Sequence, residues 1–275
     1  MPAYSRSEFP TINAGEVKKM KPYFLPFLLI ATLATTTSAY GQKTVWNLQA
    51  QKGWSGYSLL PTSYAICGSC TPSGPSLTYS RTPGISSPSL SGSSTKHSIG
   101  GTLAYSDTLW NNHIIGNFSS QGLFDVNHTL VPTLHNFIYD VYFYATNLSR
   151  SQALEFDINQ FTGGKAFIFG HECRIAGGHQ WDIYNPATHK WVPTGVSCYP
   201  VSNAWNHVVL KVQRTSGGHL LFKSITLNGK TATLNIYESP RSTSWSAVTI
   251  NYQQDGNTSQ QSYSIWLDKL KFTYW

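Results

Sequence analysis

An antiparallel all-β chain is what this sequence predicts, and three observations carry it. Short runs of β-branched and aromatic residues recur at regular spacing, helical periodicity is nearly absent, and turns rich in Gly, Asn and Pro separate the runs. With no helices to cover a parallel sheet, such strands close as an antiparallel sandwich or barrel. Composition agrees. Only 11% of the 275 residues are charged while 14% are aromatic, the reverse of the balance that keeps a chain disordered or builds a long solvated helix.

The first segment reads as an export signal. Lys18-Lys19-Met20-Lys21 is basic, Tyr23 to Ala34 is apolar, and Thr37-Ser38-Ala39 offers small residues for a signal peptidase. The apolar run contains Pro26 and falls short of the roughly 20 residues a bilayer span needs. No cysteine follows it to carry a lipid, and Met20 offers a second translation start beside Met1. Residues 1–42 are therefore expected to be an N-terminal extension and signal peptide, and residues 43–275 a single domain with no membrane span. The mature protein is expected to be secreted, or periplasmic in a Gram-negative host. Its fifteen bases and ten acids leave a net charge of +5 that is dispersed along the chain. The clustered basic footprint of a nucleic-acid binder is missing.

Four cysteines in an exported chain favour disulfides, with three possible pairings. The expected pairs are Cys67–Cys70, a tight local loop, and Cys173–Cys198, which spans a strand, a hairpin and a return. A redox reading of Cys67-x-x-Cys70 would need a βαβ unit, and a zinc reading a second paired motif; the sequence has neither. Between Thr71 and Gly100, 22 of 30 residues are Ser, Thr, Gly or Pro. The piece before this stretch is too small to fold alone, so the stretch reads as edge strands and loops within one domain.

Strands follow in order. Asn136–Ala145 is aromatic and β-branched, and Ala153–Phe161 alternates strictly, with Leu154, Phe156 and Ile158 against Glu155, Asp157 and Asn159. Lys165–Cys173 follows a Gly-Gly turn. Gln180–Tyr184 and the short run Trp191-Val192 flank a turn at 185–188, with Trp181 and Trp191 forming a rim or packing beneath a disulfide. Trp205–Arg214 and His219–Leu227 flank Ser216-Gly217-Gly218, and Leu227-Asn228-Gly229-Lys230 carries the Asn-Gly hairpin signal. Ala247–Gln253 and Tyr263–Tyr274 complete the set.

Three of these segments resemble the concanavalin A-like lectin/glucanase superfamily. Trp205-Asn206-His207-Val208-Val209 with the following Asn228-Gly229 hairpin is similar to its laminin-G-like and pentraxin-like pattern, and Ile265-Trp266-Leu267-Asp268-Lys269-Leu270 to its chain-closing strand. Leu154-Glu155-Phe156-Asp157-Ile158-Asn159-Gln160 resembles the catalytic strand of family-sixteen glycoside hydrolases. The similarity runs from about Phe137 to Trp275. It implies a jelly-roll β-sandwich of two antiparallel sheets whose concave face holds an oligosaccharide.

Alternation assigns residues to that face. Opposite the apolar sets of three strands lie Asp140, Tyr142 and Tyr144; Trp205, His207, Lys211 and Gln213; and Glu155, Asp157 and Asn159. Aromatic planes stack on sugar rings while carboxylates and amides take the hydroxyls. The expected carbohydrate-binding set is Glu155, Asp157, Asn159, Gln160, Asp140, Tyr142, Tyr144, Trp205, Lys211 and Gln213. The resemblance places a nucleophile at Glu155 and an assisting carboxylate at Asp157, but the proton-donor position falls on Gln160, or on Asn159 without a bulge. An amide cannot protonate a leaving oxygen. The leading expectation is an exported, lectin-like protein that holds a polysaccharide or oligosaccharide without hydrolysing it. The alternatives are a glycoside hydrolase or lyase with relocated groups, such as Glu172 or a Tyr142–His207 pair, and a structural or adhesive surface protein. No cofactor is expected beyond a structural calcium that the resemblance would place at Asp268. His171, Glu172 and Cys173 cannot converge on a metal, because neighbours on a strand face opposite ways.

Overall fold

The computed structural model describes residues 41–59, 77–102, 104–259 and 261–275. The export signal at 18–39 and the Cys67–Cys70 pair lie outside the described residues. Among those described, seventeen strands and three single-turn 3-10 helices make up the regular structure. In chain order the strands begin with β1 Lys43–Val45, β2 Trp54–Leu59, β3 Leu77–Ile85, β4 Ser94–Gly101, β5 Asp107–Gly116 and β6 Asn136–Ala145. Next come β7 Ser151–Thr162, β8 Lys165–Phe169, β9 His171–Arg174, β10 Gln180–Asn185 and β11 Lys190–Ser197. The last are β12 Trp205–Arg214, β13 Leu220–Leu227, β14 Lys230–Glu238, β15 Arg241–Ser242, β16 Ala247–Gly256 and β17 Tyr263–Tyr274. No described helix is long and apolar enough to cross a membrane.

All pairings between these strands are antiparallel, and they form two sheets. The eight-stranded sheet runs β14-β13-β12-β6-β17-β4-β3, with β1 on β17. The nine-stranded sheet runs β11-β10-β9-β7-β16-β5-β2, with β8 on β7 and β15 on β8. The sheets pack face to face as a β-sandwich, as the periodicity predicts. Facing residues make one core: Phe137, Tyr139, Val141 and Phe143 of β6 and Val208, Leu210 and Val212 of β12 meet Leu154, Phe156 and Ile158 of β7. Phe156 sits at the junction, its ring centroid 5.9 Å from Tyr139 and 5.8 Å from Phe143 across the sandwich.

Several boundaries fall where the local chemistry puts them. β6, β12 and β17 match the expected strands end to end. Asn228 and Gly229 both have positive φ (50° and 80°), the geometry a two-residue turn between β13 and β14 requires. Cys173 and Cys198 are joined, with Cα atoms 5.7 Å apart. Two expectations need correction. The single strand expected over Lys165–Cys173 breaks at Gly170 into β8 and β9, so residues after the break follow a new register. Of the Ser/Thr/Gly/Pro-rich stretch, β3 is an edge strand but β4 lies between β3 and β17.

Truncating Phe156 to Ala removes the ring on which both sheets rest and should cost about 3–5 kcal/mol. Urea unfolding should show this as a lower midpoint with an unchanged slope.

Candidate functional site

β7 sends its apolar residues inward and Glu155, Asp157 and Asn159 to the outer face of the nine-stranded sheet. Its neighbours extend that row in register. Glu155 lies opposite Gln253 of β16 and Glu172 of β9, Asp157 opposite Asn251, and Asn159 opposite Thr249. Beyond them Asn251 pairs with Asn111, Asp255 with Asp107, and Glu172 with Asp182. The result is a floor of carboxyl and amide groups five strands wide, from β10 to β5. These side chains point away from the core, yet Glu155, Asp157 and Asn159 are only 7%, 6% and 4% exposed.

Amides bridge some of the carboxyls, while Asp255 also bonds Glu155 and Asp107 directly. Gln253 Nε2 donates to Glu155 Oε1 (2.6 Å) and to Asp255 Oδ1 (3.0 Å), and Asn251 Nδ2 donates to Asp157 Oδ2 (3.2 Å). Arg174 is the cation of the group and is taken by Asp182, at 3.2 Å. Burial raises every carboxyl here. It pushes Glu155 and Asp255 well above the ordinary range, with Asp255 and Asp157 adding to the effect on Glu155 and Asp107 to that on Asp255. Burial lifts Asp157 to about 7 against hydrogen bonds from Asn251 and the His171 N–H. It lifts Glu172 to about 7, with Asp182 reinforcing and Arg174 opposing, and Asp107 to about 7 against a hydrogen bond with Asp255. Near neutral pH the floor therefore holds both protons to donate and oxygens to accept.

Aromatic groups wall this floor on one side. Tyr184 and Trp191 are register partners on β10 and β11, their rings packed edge to face at 5.4 Å. Gly170, at the β8–β9 break, lets them come in close. A Cβ there would stand 2.8 Å from Tyr184 Cβ, 3.2 Å from Trp191 Cη2 and 3.4 Å from Asp157 Oδ1. The Trp191 ring thus stands beside the Asp157 carboxyl. Trp181, its fellow rim candidate, is instead buried opposite Cys173.

Most of the other expected site residues are elsewhere. Asp140, Tyr142, Tyr144, Trp205, Lys211 and Gln213 lie on β6 and β12, on the outer face of the eight-stranded sheet. The core separates them from Glu155, Asp157 and Asn159, so the single groove expected from the sequence is two faces. On theirs, Asp140 binds His207 Nε2 (2.9 Å) and Lys271 Nζ (2.7 Å), while Tyr142 stacks flat on His207 at 4.0 Å. The Tyr142–His207 pair does meet, but through ring faces rather than through the phenol and an imidazole nitrogen. Tyr144 packs against Trp205 and Trp266.

Gln160 is likewise corrected. It falls on the inward side of β7, fully buried, donating to the carbonyls of Val131 and Leu134 and accepting from Arg214 Nε. Asp268 does not fit a calcium ligand. Its two oxygens accept from Ser89, Leu90, Ser91, Gln49 and Lys269, all donors, whereas a calcium ion collects oxygen ligands. Sequence reading did not bring Asn251, Gln253 or Asp255 to this face; Asp255 stood out only as part of Asp255-Gly256-Asn257, a turn or weak calcium candidate. Their signal was present, because Val248, Ile250 and Tyr252 alternate with Thr249, Asn251, Gln253 and Asp255 along β16.

No protein-family model matches the sequence, and no curated sequence does. Solved structures with a similar course include a carbohydrate esterase from a Shiga toxin-encoding bacteriophage, 10% identical over 85% of this chain and 99% of that one, TM-score 0.44. Carbohydrate-binding modules of the β-sandwich superfamily are 9% identical over 85% and 63%, TM-score 0.40. The lectin UEA-II, complexed with galactose, is 10% identical over 84% and 97%, TM-score 0.40.

The raised carboxyls fix a pH dependence. Because their folded values lie above the unfolded ones, near 4, the stability they contribute is complete below that pH and is lost as pH rises through about 7. His97 and His171, which burial holds down to about 3 and 4, act in the opposite sense but only below about 6.5. The melting temperature should therefore fall as pH is raised from about 6.5 to 8. Asp157→Asn and Glu172→Gln should each flatten that slope in thermal denaturation.

Proposed function

We propose that this is a carbohydrate-binding protein whose site is the outer face of the nine-stranded sheet. The reading rests on one observation: a row of outward-pointing carboxyl and amide side chains, packed so closely that most are nearly buried, beside the partly buried Trp191. Sugar hydroxyls both donate and accept, and a floor of protonated carboxyls, carboxylates and amides meets them in both senses. A pyranose presents an apolar ring face that stacks on an indole. The acids outnumber the one cation, Arg174, so the face suits a neutral glycan and repels a polyuronate. The resemblance of β7 to a glucanase strand points to the same face, as do the domain span of 43–275 and the export signal to a protein that meets glycans outside the cell.

A second reading has its own observation. Glu172 is the register partner of Glu155, and directly opposed residues of antiparallel strands have Cβ atoms about 4.5–5.5 Å apart. Retaining glycosidases need carboxyls about 5 Å apart. With Gln160 turned into the core, Glu172 is the candidate on the neighbouring strand for the second carboxyl, and hydrolysis would pass through the Glu155–Glu172 pair.

Titration of the full chain with soluble neutral and uronic-acid polysaccharides tests the binding claim. Neutral polymers should bind, with Trp191→Ala and Asp157→Ala weakening binding about tenfold or more. Trp205→Ala, on the opposite face, should leave binding intact. Loss in Trp205→Ala with retention in Trp191→Ala would move the site to the other sheet. If the pair is hydrolytic, new reducing ends will form, and Glu155→Gln and Glu172→Gln will each cut that rate by about 10²-fold or more. Binding without new reducing ends leaves a lectin-like protein.

A further inference from the structure

The polar floor has an end that the reading above does not use. Past Asn159 and Thr249, the outer face of the nine-stranded sheet reaches His113 of β5, register partner of Thr249, and Phe161 of β7, partner of Ala247. Here a cleft of about 220 Å³ opens, lined by His113, Asn117, Phe118, His128, Trp245 and Ala247 among others. Two of its walls are aromatic rings left open to solvent: Phe118 is 81% exposed and Trp245 59%. Both ring centroids stand 6.4 Å from the His113 imidazole.

Neither ring is exposed because its loop is loose. Ser119 Oγ donates to Ile114 O and accepts from the N–H groups of Gln121 and Leu123, and Ser120 Oγ bonds Asn112, which ties down the loop carrying Phe118. Trp245 packs edge to face on Phe161 at 5.5 Å, and its N–H bonds Thr243 Oγ1. Burial lowers the pKa of His113, which favours its neutral imidazole. Next to the cleft, Asn159 donates to Thr249 Oγ1, but its own buried Oδ1 has no hydrogen-bond partner. That acceptor lies on the floor between the cleft and Asp157, where a hydroxyl donor would satisfy it.

Resting on the carbohydrate reading, we infer that this cleft is a second, aromatic subsite for a neutral sugar ring. Phe118 and Trp245 would take the ring faces, and Asn159 Oδ1 a hydroxyl. The glycan would lie lengthwise along β7, from the cleft to Glu155 and Glu172. Six residues of strand separate Phe161 from Glu155, about 20 Å. A disaccharide cannot cover that distance, while a chain of several linked rings can.

The test is calorimetric titration of the full chain with cello- and laminari-oligosaccharides, from the disaccharide to the hexasaccharide. Affinity should rise with length until the floor and the cleft are both filled. Phe118→Ala and Trp245→Ala should each weaken the longest binding oligosaccharide about tenfold and leave the shortest one that binds unchanged. Trp191→Ala should weaken all lengths alike. Both cleft variants remove exposed rings, so their melting temperatures should match the parent. Binding that does not depend on length, or that is unaffected in both cleft variants, overturns this subsite and leaves the floor intact. Failure of every oligosaccharide of both series to bind the parent protein overturns the sugar reading together with it.

Discussion

Everything on the outer face depends on the register of β7, and Phe156 holds that register. Its ring touches Tyr139 and Phe143 of the opposite sheet and lies 5.5 Å from Tyr252 and 6.4 Å from Trp181 of its own. Because side chains alternate with a period of two, a slip of one residue would drive Glu155 and Asp157 into the core and expose Leu154, Phe156 and Ile158. Burying two carboxyls among aromatic rings without partners costs far more than any local strand preference can offset. The core therefore does more than stabilise the sandwich: it decides which way the acids point. β9 and β16 lock to β7 by backbone pairing and β10 locks to β9, so they inherit the same orientation and bring Glu172, Asp182, Asn251 and Gln253 alongside.

That arrangement is expensive by its own chemistry. Glu155, Asp157, Asp255, Glu172 and Asp107 crowd one patch, and Arg174, the nearby cation, is committed to Asp182. Burial disfavours their charged forms, and like charge adds to this for Glu155, Asp255 and Glu172, so protons are retained and the pKa values rise. Gln253 and Asn251 relieve part of the repulsion by donating between the acids. A fold selected only for stability would place apolar or neutral residues there. The outer face of the other sheet takes the opposite course. Asp140 is matched by His207 and Lys271, and Lys96 lies over the Trp266 ring.

Much of the sandwich was legible because it is written in local patterns. The alternation of β6 and β12 gave their limits and their inward residues, the limits of β17 were likewise legible, and the Asn228-Gly229 turn marked its hairpin. What the pattern cannot carry is sheet membership. Alternation says that Tyr142 and Glu155 both point away from the core; it does not say that the core lies between them. That depends on long-range pairing, β6 with β12 and β17, β7 with β9 and β16. Gln160 misled for another reason. As a polar residue next to Asn159 it looked like part of the site, although its parity with Leu154, Phe156 and Ile158 already set it inward. Asp268 looked like a lone carboxylate near the closing strand, and only the tertiary fold reveals Ser89, Leu90 and Ser91 folded over it.

The chain thus has two outward faces with the same kinds of residue and different states. On the eight-stranded sheet the aromatic rings lie against one another, Tyr142 on His207 and Tyr144 on Trp205 and Trp266, which leaves their faces partly spent. On the nine-stranded sheet the rings stand at the margins, Trp191 beside Asp157 and Trp245 beside His113, with the acids and amides between them. A ligand gains most where a carboxyl proton, an amide and an open ring face lie within reach of one another. Composition alone could not separate these cases, since both faces hold Tyr, Trp, Asp and an amide. The difference lies in which partners the fold has already supplied, and that is the ground on which recognition is proposed for the nine-stranded face.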